Sequence, residues 1–490
     1  MKPLVILQRI FSRKNLIRLV FTIVVLLTLV MIFHRVEAWR GARAWDTYRK
    51  LAEARGVQLW LRDFATPAIP EDQNFAAIPF FSGRFGTAEQ KKAAEALLPS
   101  LSHPKLKRPA AGNSLEGKST NFTEWRDFFV ETKTISAPTE NAAQDIVNAV
   151  GRFPGIQQIR GAASRAKCRF PIDIEKGFAL ELPHLSAFQA AANFLALDAE
   201  ARLTLGDPAG ALDDCLLILR LADAVRDEPY LIALLVRISL IERTVGIVRR
   251  GLALGAWKDE QFAAIDTTLG AQKLIPALRF SMASERAAMT TEFNRLASDP
   301  SYDGNSMWQA IGTTPAVSWV YPRGWIYMNM VKGNEIHDGI AAAYAPVNGY
   351  EPESISGRPG IDDELGQLTG IDSFRYLFVR LLMPALSGVE RATLSCQTLI
   401  SQTLIAIALE RTKTSAGNYP DTLAALPAFT IPKDPCDGQP MRYRRTETGY
   451  ELWSVAGNRI DEAGKQDPKV SNRREQPDWL WKFTPTPAAK

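Results

Sequence analysis

Histidine and cysteine are both scarce, with four of each in 490 residues. So few imidazoles leave little room for histidine-based acid–base or metal chemistry. Cys168, Cys215, Cys396 and Cys436 lie far apart and include no CxxC pair, so their spacing supports neither a zinc site nor a thioredoxin-like redox motif. In an oxidising compartment they permit one or two disulfides; as ordinary core residues they are four single buried thiols. No HExxH, GxSxG or GxGxxG string occurs, which removes the usual zinc-protease, α/β-hydrolase and dinucleotide signatures. An excess of one charge is missing as well. The 58 Lys and Arg against 53 Asp and Glu leave +5 over the whole length, too little for a nucleic-acid footprint.

Long hydrophobic runs are absent with one exception. Residues 19–33 carry no charge, and Leu16, Ile17 and a snorkelling Arg18 extend them to the length that crosses a bilayer. Residues 16–34 therefore read as a transmembrane helix in contact with lipid. Basic residues flank it on both sides, Lys2, Arg9, Arg13, Lys14 and Arg18 before it and Arg35, Arg40, Arg43, Arg49 and Lys50 after it, so their count does not set the orientation. The short tail, 1–15, has no acid, whereas a large C-terminal part is exported whatever its charge. This puts the N-terminus in the cytoplasm and the body in the periplasm of a bacterial inner-membrane protein. A cleaved signal peptide ending at Val36-Glu37-Ala38 is the rival reading, and the long n-region and the bulky Trp39 after the cut speak against it.

The remaining chain has ordinary globular composition, 46% apolar and 23% charged, with room for two to four domains. Residues 35–181 combine a membrane-proximal helix, an extended strap and short helices. Helix formers from Trp39 to a stop at Gly56 predict that the anchor continues outward as one rigid helix, holding the body off the membrane. Pro67, Pro70 and Pro79 predict an extended strap over 66–81. Thr87 with Gln90 and Asn121 with Glu124 form capping boxes for helices running to Leu98 and towards Val130, and Thr139 caps one ending at Gly151.

Residues 182–300 read as an irregular helical bundle. Apolar-periodic segments at 190–205, 208–224, 229–254, 258–269 and 273–296 are separated by Gly206-Asp207, Asp227-Glu228, Gly255 and Gly270. The 199–212 junction resembles that of a tetratricopeptide repeat, which implies one repeat-like helical hairpin. The apolar segment 231–252 is interrupted by Arg237, Glu242, Arg243, Arg249 and Arg250, which makes it a core helix and not a second span. Residues 301–375 form a loop-rich segment with Trp308, Trp319, Tyr321, Trp325 and Tyr327, helical only near 325–331. These aromatics either line a groove for a sugar or peptide or pack the segment onto the bundle.

Two short motifs match catalytic patterns. Residues 112–119, GNSLEGKS, fit the phosphate loop GxxxxGK[ST], but that loop needs a buried strand before it and Pro104 to Pro109 cannot be one. The string reads as a polar turn, so no nucleotide is expected. Ser164 and Lys167 fit the SxxK of penicillin-binding serine enzymes, without usable companion motifs. Asp213-Asp214 and Asp362-Asp363 read as solvated charges.

The clearest succession of signals comes late. Leu399, Ile400, Leu404, Ile405, Ile407 and Leu409 form a helical stripe stopped by Gly417 and Pro420. A short helical turn at 422–426 follows, then bends at Pro432, Pro435 and Asp437-Gly438. The alternating segments 441–444 and 450–455 predict an antiparallel hairpin. This order, with Gly417-Asn418-Tyr419-Pro420, Asp434-Pro435-Cys436-Asp437-Gly438-Gln439-Pro440, Tyr443 and the loop 454–464, resembles the C-terminal half of the major pseudopilins of type II secretion, over about 390–465. The chain as a whole resembles uncharacterised envelope proteins of planctomycete and verrucomicrobial type. The first resemblance implies a pseudopilin-like helix plus β-hairpin module at 376–466, with a flexible tail at 467–490. It also implies a loop where Asn458, Asp461, Glu462 and Asp467 stand at the positions of calcium-binding oxygens.

The fold class expected is mainly α, with an N-terminal transmembrane helix, a helical bundle and a small C-terminal α+β module. No residue is assigned a catalytic, cofactor-binding or metal-binding role. The expected function is that of a membrane-anchored periplasmic scaffold or assembly protein with an envelope partner or self-association. The alternatives are an envelope hydrolase with a cleft near 301–370 and a component of a type II secretion-like pseudopilus.

Overall fold

The computed structural model describes residues 13–102, 105–109, 119–174, 176, 180–299, 302, 321–345, 361–427 and 429–485. The fold is mainly α with one small antiparallel sheet at its C-terminal end. Trp308, Trp319 and residues 112–118 of the phosphate-loop string lie outside the described residues.

Helix α1, Arg13–Ala54, is continuous through the apolar run and beyond it. At about 1.5 Å per residue it is roughly 60 Å long. Every large apolar side chain from Leu16 to Phe33 is 39–68% exposed, as a lipid-facing helix requires. From there on one face turns inward, with Glu37, Gly41, Trp45 and Ala52 buried. The outer half of α1 is thus not a free spacer. It lies along the body.

The strap is extended only over 65–70. Beyond it, single helical turns at Phe75–Ala77 and Pro79–Ser82 bury Phe75, Phe80 and Phe81 completely. Pro79 opens its turn at the first position, where its missing N–H costs nothing. The Thr87–Gln90 capping box forms as the sequence predicts ahead of α2, Ala88–Glu95; ahead of α3, Phe122–Glu131, Asn121 caps by accepting from the Glu124 N–H, while the Glu124 carboxylate takes the Asn121 side-chain amide and not its backbone N–H. The cap of α4, Ala142–Val150, is Asn141 instead of Thr139; Thr139 donates to Asp145 from two residues upstream. Helix α5, Pro154–Ala162, follows at once.

The bundle comprises α6, Pro183–Thr204, α7, Pro208–Ala224, α8, Leu231–Ala253, α9, Asp259–Gly270, and α10, Leu274–Ser298. Gly206, at φ +75°, makes the turn of the α6–α7 hairpin, and Asp207 caps α7 by accepting from the Gly210 N–H at 2.9 Å. Phe129 and Phe153 from the short helices pack on Phe194 of α6, so the segment before the bundle wraps one of its faces. Helix α11, Arg323–Ala343, extends well past the turn expected near Trp325 and packs against both α1 and α10.

The long helix α12, Pro384–Ala416, ends where expected, at Gly417 with φ +83°. It packs against α8, α9 and α10, so the core runs without a break from the bundle into the C-terminal module. Strands β1, Arg442–Arg445, and β2, Tyr450–Ser454, form the expected hairpin. A third strand, β3, Trp479–Phe483, pairs antiparallel with β2 and sets Leu452 opposite Trp481. This corrects the flexible tail read at 467–490. Trp479 and Trp481 are fully buried, and fully buried Gln402 of α12 donates to the Trp479 and Leu452 carbonyls at 2.8 and 3.3 Å. Arg474 adds two 2.9 Å bonds to Glu242 of α8.

Candidate functional site

The element with the most distinctive chemistry is the seat of α1 on α11. The two helices run parallel, and they touch at glycines. Cβ atoms built at Gly41 and Gly324 would meet the Gly324 and Glu37 carbonyl oxygens at 2.1 and 1.8 Å, so only glycine lets the backbones come this close. Beside the crossing, buried Glu37 accepts from the Trp325 indole at 2.8 Å and from Arg40 at 2.6 Å. Nearly four turns further along α11, Asp338 accepts from Tyr48 at 2.8 Å, from Arg55 at 2.8 Å and from buried Arg286 at 3.1 Å. Burial, then the Asp338 carboxylate, raise the Tyr48 hydroxyl far above its usual range. It stays a neutral donor. Trp45 stacks on Tyr48 and meets Trp60 edge-on, closing the seat from the other side.

A second polar cluster lies inside the bundle. Asp198 of α6 and Asp214 of α7 are both fully buried, which corrects the reading of Asp214 as a solvated charge; its neighbour Asp213 is exposed. Arg160 pairs with both and Arg202 with Asp198 at 3.2 Å. Burial raises both carboxyls, Asp214 the more strongly, where the neighbouring Asp198 charge adds to the rise. Asp198 Oδ1 and Asp214 Oδ2 are buried without a hydrogen-bonded donor, Arg202 Nε standing 3.5 Å from the latter.

Beneath the 168–174 segment is a small cavity of about 110 Å³ lined by Cys168, Phe170, Glu228 and Tyr230 among others. His184 is buried behind it, stacked on Phe170 at 4.0 Å, with Nε2 at 2.8 and 3.0 Å from the Glu228 carboxylate oxygens. A thiol in a cavity wall invites comparison with a cysteine nucleophile. Burial pushes the Cys168 thiol up to about 12, however, so it carries almost no thiolate at neutral pH. Cys215, Cys396 and Cys436 are buried, and all four cysteines are unpaired.

The other sequence motifs are not brought together. Ser164 and Lys167 are both exposed on the turn after α5. Ser119 and Thr120 lead into the Asn121 cap, and residues 105–109 form no strand. Of the aromatic cluster, Tyr321 is buried and Trp325 half-buried against the body, so these two pack the segment instead of lining a groove.

In the acidic C-terminal loop the oxygens are used internally. Asp461 Oδ1 accepts from the Trp453 indole and the Ala463 N–H, Glu462 Oε1 from Asn458, and Asp467 Oδ1 from the Lys469 N–H. Among the described residues no group of three or more His, Cys, Asp or Glu is placed to hold a metal ion. Sequence reading missed Asp478, which is buried next to Glu462 and accepts from the Gly464 N–H at 2.7 Å. Burial, then the Glu462 and Asp461 charges, push its carboxyl up to about 6. A carboxyl raised in the folded state contributes stability that is complete below its unfolded pKa of about 4 and is lost as pH rises through the folded value. Asp478→Asn therefore flattens the thermal midpoint between pH 4 and 6, where wild type declines. Midpoints measured across that range check it, and parallel profiles refute it.

The bend that begins at Asp434 has a physical basis. Asp434 is fully buried and accepts from the Cys436 and Val455 N–H groups, the Ser454 hydroxyl and Arg442, at 2.7 to 3.0 Å, fastening the bend at 434–438 to β2. No family model matches this chain, and neither a curated protein nor a solved structure matches it.

Proposed function

We propose that this chain is a single-pass inner-membrane protein, with residues 1–15 in the cytoplasm, residues 16–34 in the bilayer and the body in the periplasm, acting there as a scaffold or assembly component through protein contacts. One observation carries the reading. The apolar helix does not end at the bilayer but continues into a seat on α11 built from the Gly41–Gly324 crossing, the Glu37–Trp325 bond and the Asp338 hub. A flexible linker would serve a body that only needs tethering. A helix locked into the body instead sets which faces point along the membrane and which away from it, and a scaffold depends on that. Removing residues up to Ala38 would also strip Glu37 from Trp325, which favours an anchor that is kept over one that is cleaved.

Reporter fusions after residue 485 test the topology. An exported phosphatase is active there and a cytosolic fluorescent protein is dark; the reverse pattern overturns the orientation. Cross-linking in intact membranes tests the role, with a defined partner or self-oligomer expected. A monodisperse monomer that cross-links to nothing overturns it.

A further inference from the structure

We propose that residues 371–375 form a wedge that rests on the membrane, with Ile371 and Phe374 inserted at the headgroup–acyl boundary of the same bilayer that α1 crosses. This inference rests on residues 16–34 being a span. Phe374 is 69% exposed, the most exposed large apolar side chain among the described residues, ahead even of Phe21 in the anchor at 68%; Ile371 is 61% exposed. The two stand three apart on one short turn, Asp372–Arg375 and the residue before it, which puts them on one face.

Their position comes from a chain of contacts. Phe33, the last residue of the uncharged run, meets Trp325 edge-on with centroids 6.1 Å apart. The Arg375 guanidinium lies 6.0 Å from the same indole. The Arg375 carbonyl accepts from Tyr321 and Asn329, each at 2.6 Å, and Val379 N–H donates to Asn329 at 3.1 Å, so this turn cannot swing away. Because α11 runs parallel to α1, its first turn and the Tyr321 just before it are the end of the body nearest the bilayer. The 371–375 turn is bonded to that end, at the level where the hydrocarbon core gives way to headgroups. Trp39, 63% exposed, and the exposed Arg35 and Arg323 mark the same level with the aromatic and basic residues that favour an interface. The bilayer is the occupant because the anchor already brings it to this surface.

The full-length chain carrying Cys168→Ser is reconstituted in vesicles of phosphatidylethanolamine and phosphatidylglycerol. An environment-sensitive fluorophore is placed at Phe374→Cys, Val25→Cys or Ile460→Cys, and nitroxide lipids labelled near the headgroup or mid-chain are the quenchers. Phe374→Cys is expected to be quenched by the shallow label roughly threefold more than Ile460→Cys, with Val25→Cys quenched by the deep one. Quenching at 374 no greater than at 460, with 25 quenched, overturns the wedge and leaves the span intact. A blue-shifted but unquenched probe at 374 means that protein, not lipid, covers it, and also overturns the wedge. An unquenched probe at 25 overturns the span and the wedge together.

Discussion

Replacing Gly324 with alanine will lower the thermal midpoint of the detergent-solubilised chain by roughly 2–6 °C and loosen α1 from the body. The new Cβ would lie 1.8 Å from the Glu37 carbonyl oxygen. Neither partner is the end of a movable side chain, so the two helices must part. Overpacking of this kind costs about 1–3 kcal/mol, and stranding the buried Glu37 carboxylate without the Trp325 donor adds about 1–3 kcal/mol more. Gly41→Ala has the same effect, because its Cβ would meet the Gly324 oxygen at 2.1 Å; the double variant is less than additive since both act on one crossing. Gly246→Ala on α8 is the control. Nothing lies within 4 Å of its Cβ, and alanine there gains up to about 1 kcal/mol of helix propensity. Loosening is read from trypsin cleavage after Arg55, whose guanidinium is held by Asp338 at 2.8 Å only while α1 is docked. An unchanged midpoint with unchanged cleavage would show that the helices do not cross here.

The second large effect belongs to the carboxyl pair of the bundle. Arg160→Ala is expected to cost about 3–5 kcal/mol, because it leaves two fully buried acids with Arg202 as their remaining guanidinium partner. Asp214→Asn is expected to cost under about 1 kcal/mol, since burial already favours a neutral group at that position. The sign of the pH dependence separates the two. With its folded pKa raised above the unfolded one of about 4, Asp214 contributes stability below that pH and loses it as pH rises towards the folded value. Wild type therefore weakens with rising pH from about 4 upward through this group, and Asp214→Asn does not. Urea unfolding at several pH values checks both statements; equal costs for the two variants would mean that burial does not favour a neutral group at position 214.

Much of the fold was readable in residue order because its signals are local. The Thr87–Gln90 box, the Asn121 cap, the Gly206 and Gly417 stops and the five bundle segments each depend on residues within one or two helical turns of each other. Strand β3 also carried a local signal. Trp479, Trp481 and Phe483 alternate with Leu480 and Lys482 as a half-buried strand does, but they stand alone near the end of the chain, and the partner that gives such a strand meaning, β2, is more than twenty residues away. Asp214 was misread for the matching reason. One of two adjacent acids on a helix looks solvated until α6 and Arg160 close over it.

The functional surface was less legible still. Glu37 next to an apolar run looks like an ordinary flanking acid, and Gly41 and Gly324 look like unremarkable helix glycines 283 positions apart. Nothing in the order of residues pairs them.

Residue order alone determined that one segment is apolar enough to cross a bilayer, where most helices begin and end, and that a hairpin follows the last long helix. Those depend on side-chain transfer and on backbone groups satisfied by near neighbours. Tertiary structure alone decided that α1 is seated on α11, that α12 joins the bundle core to the sheet, and that Ile371 and Phe374 are left bare. Each of those depends on which distant surfaces fit when brought within contact distance, and shape complementarity between remote segments leaves no periodic mark on either one.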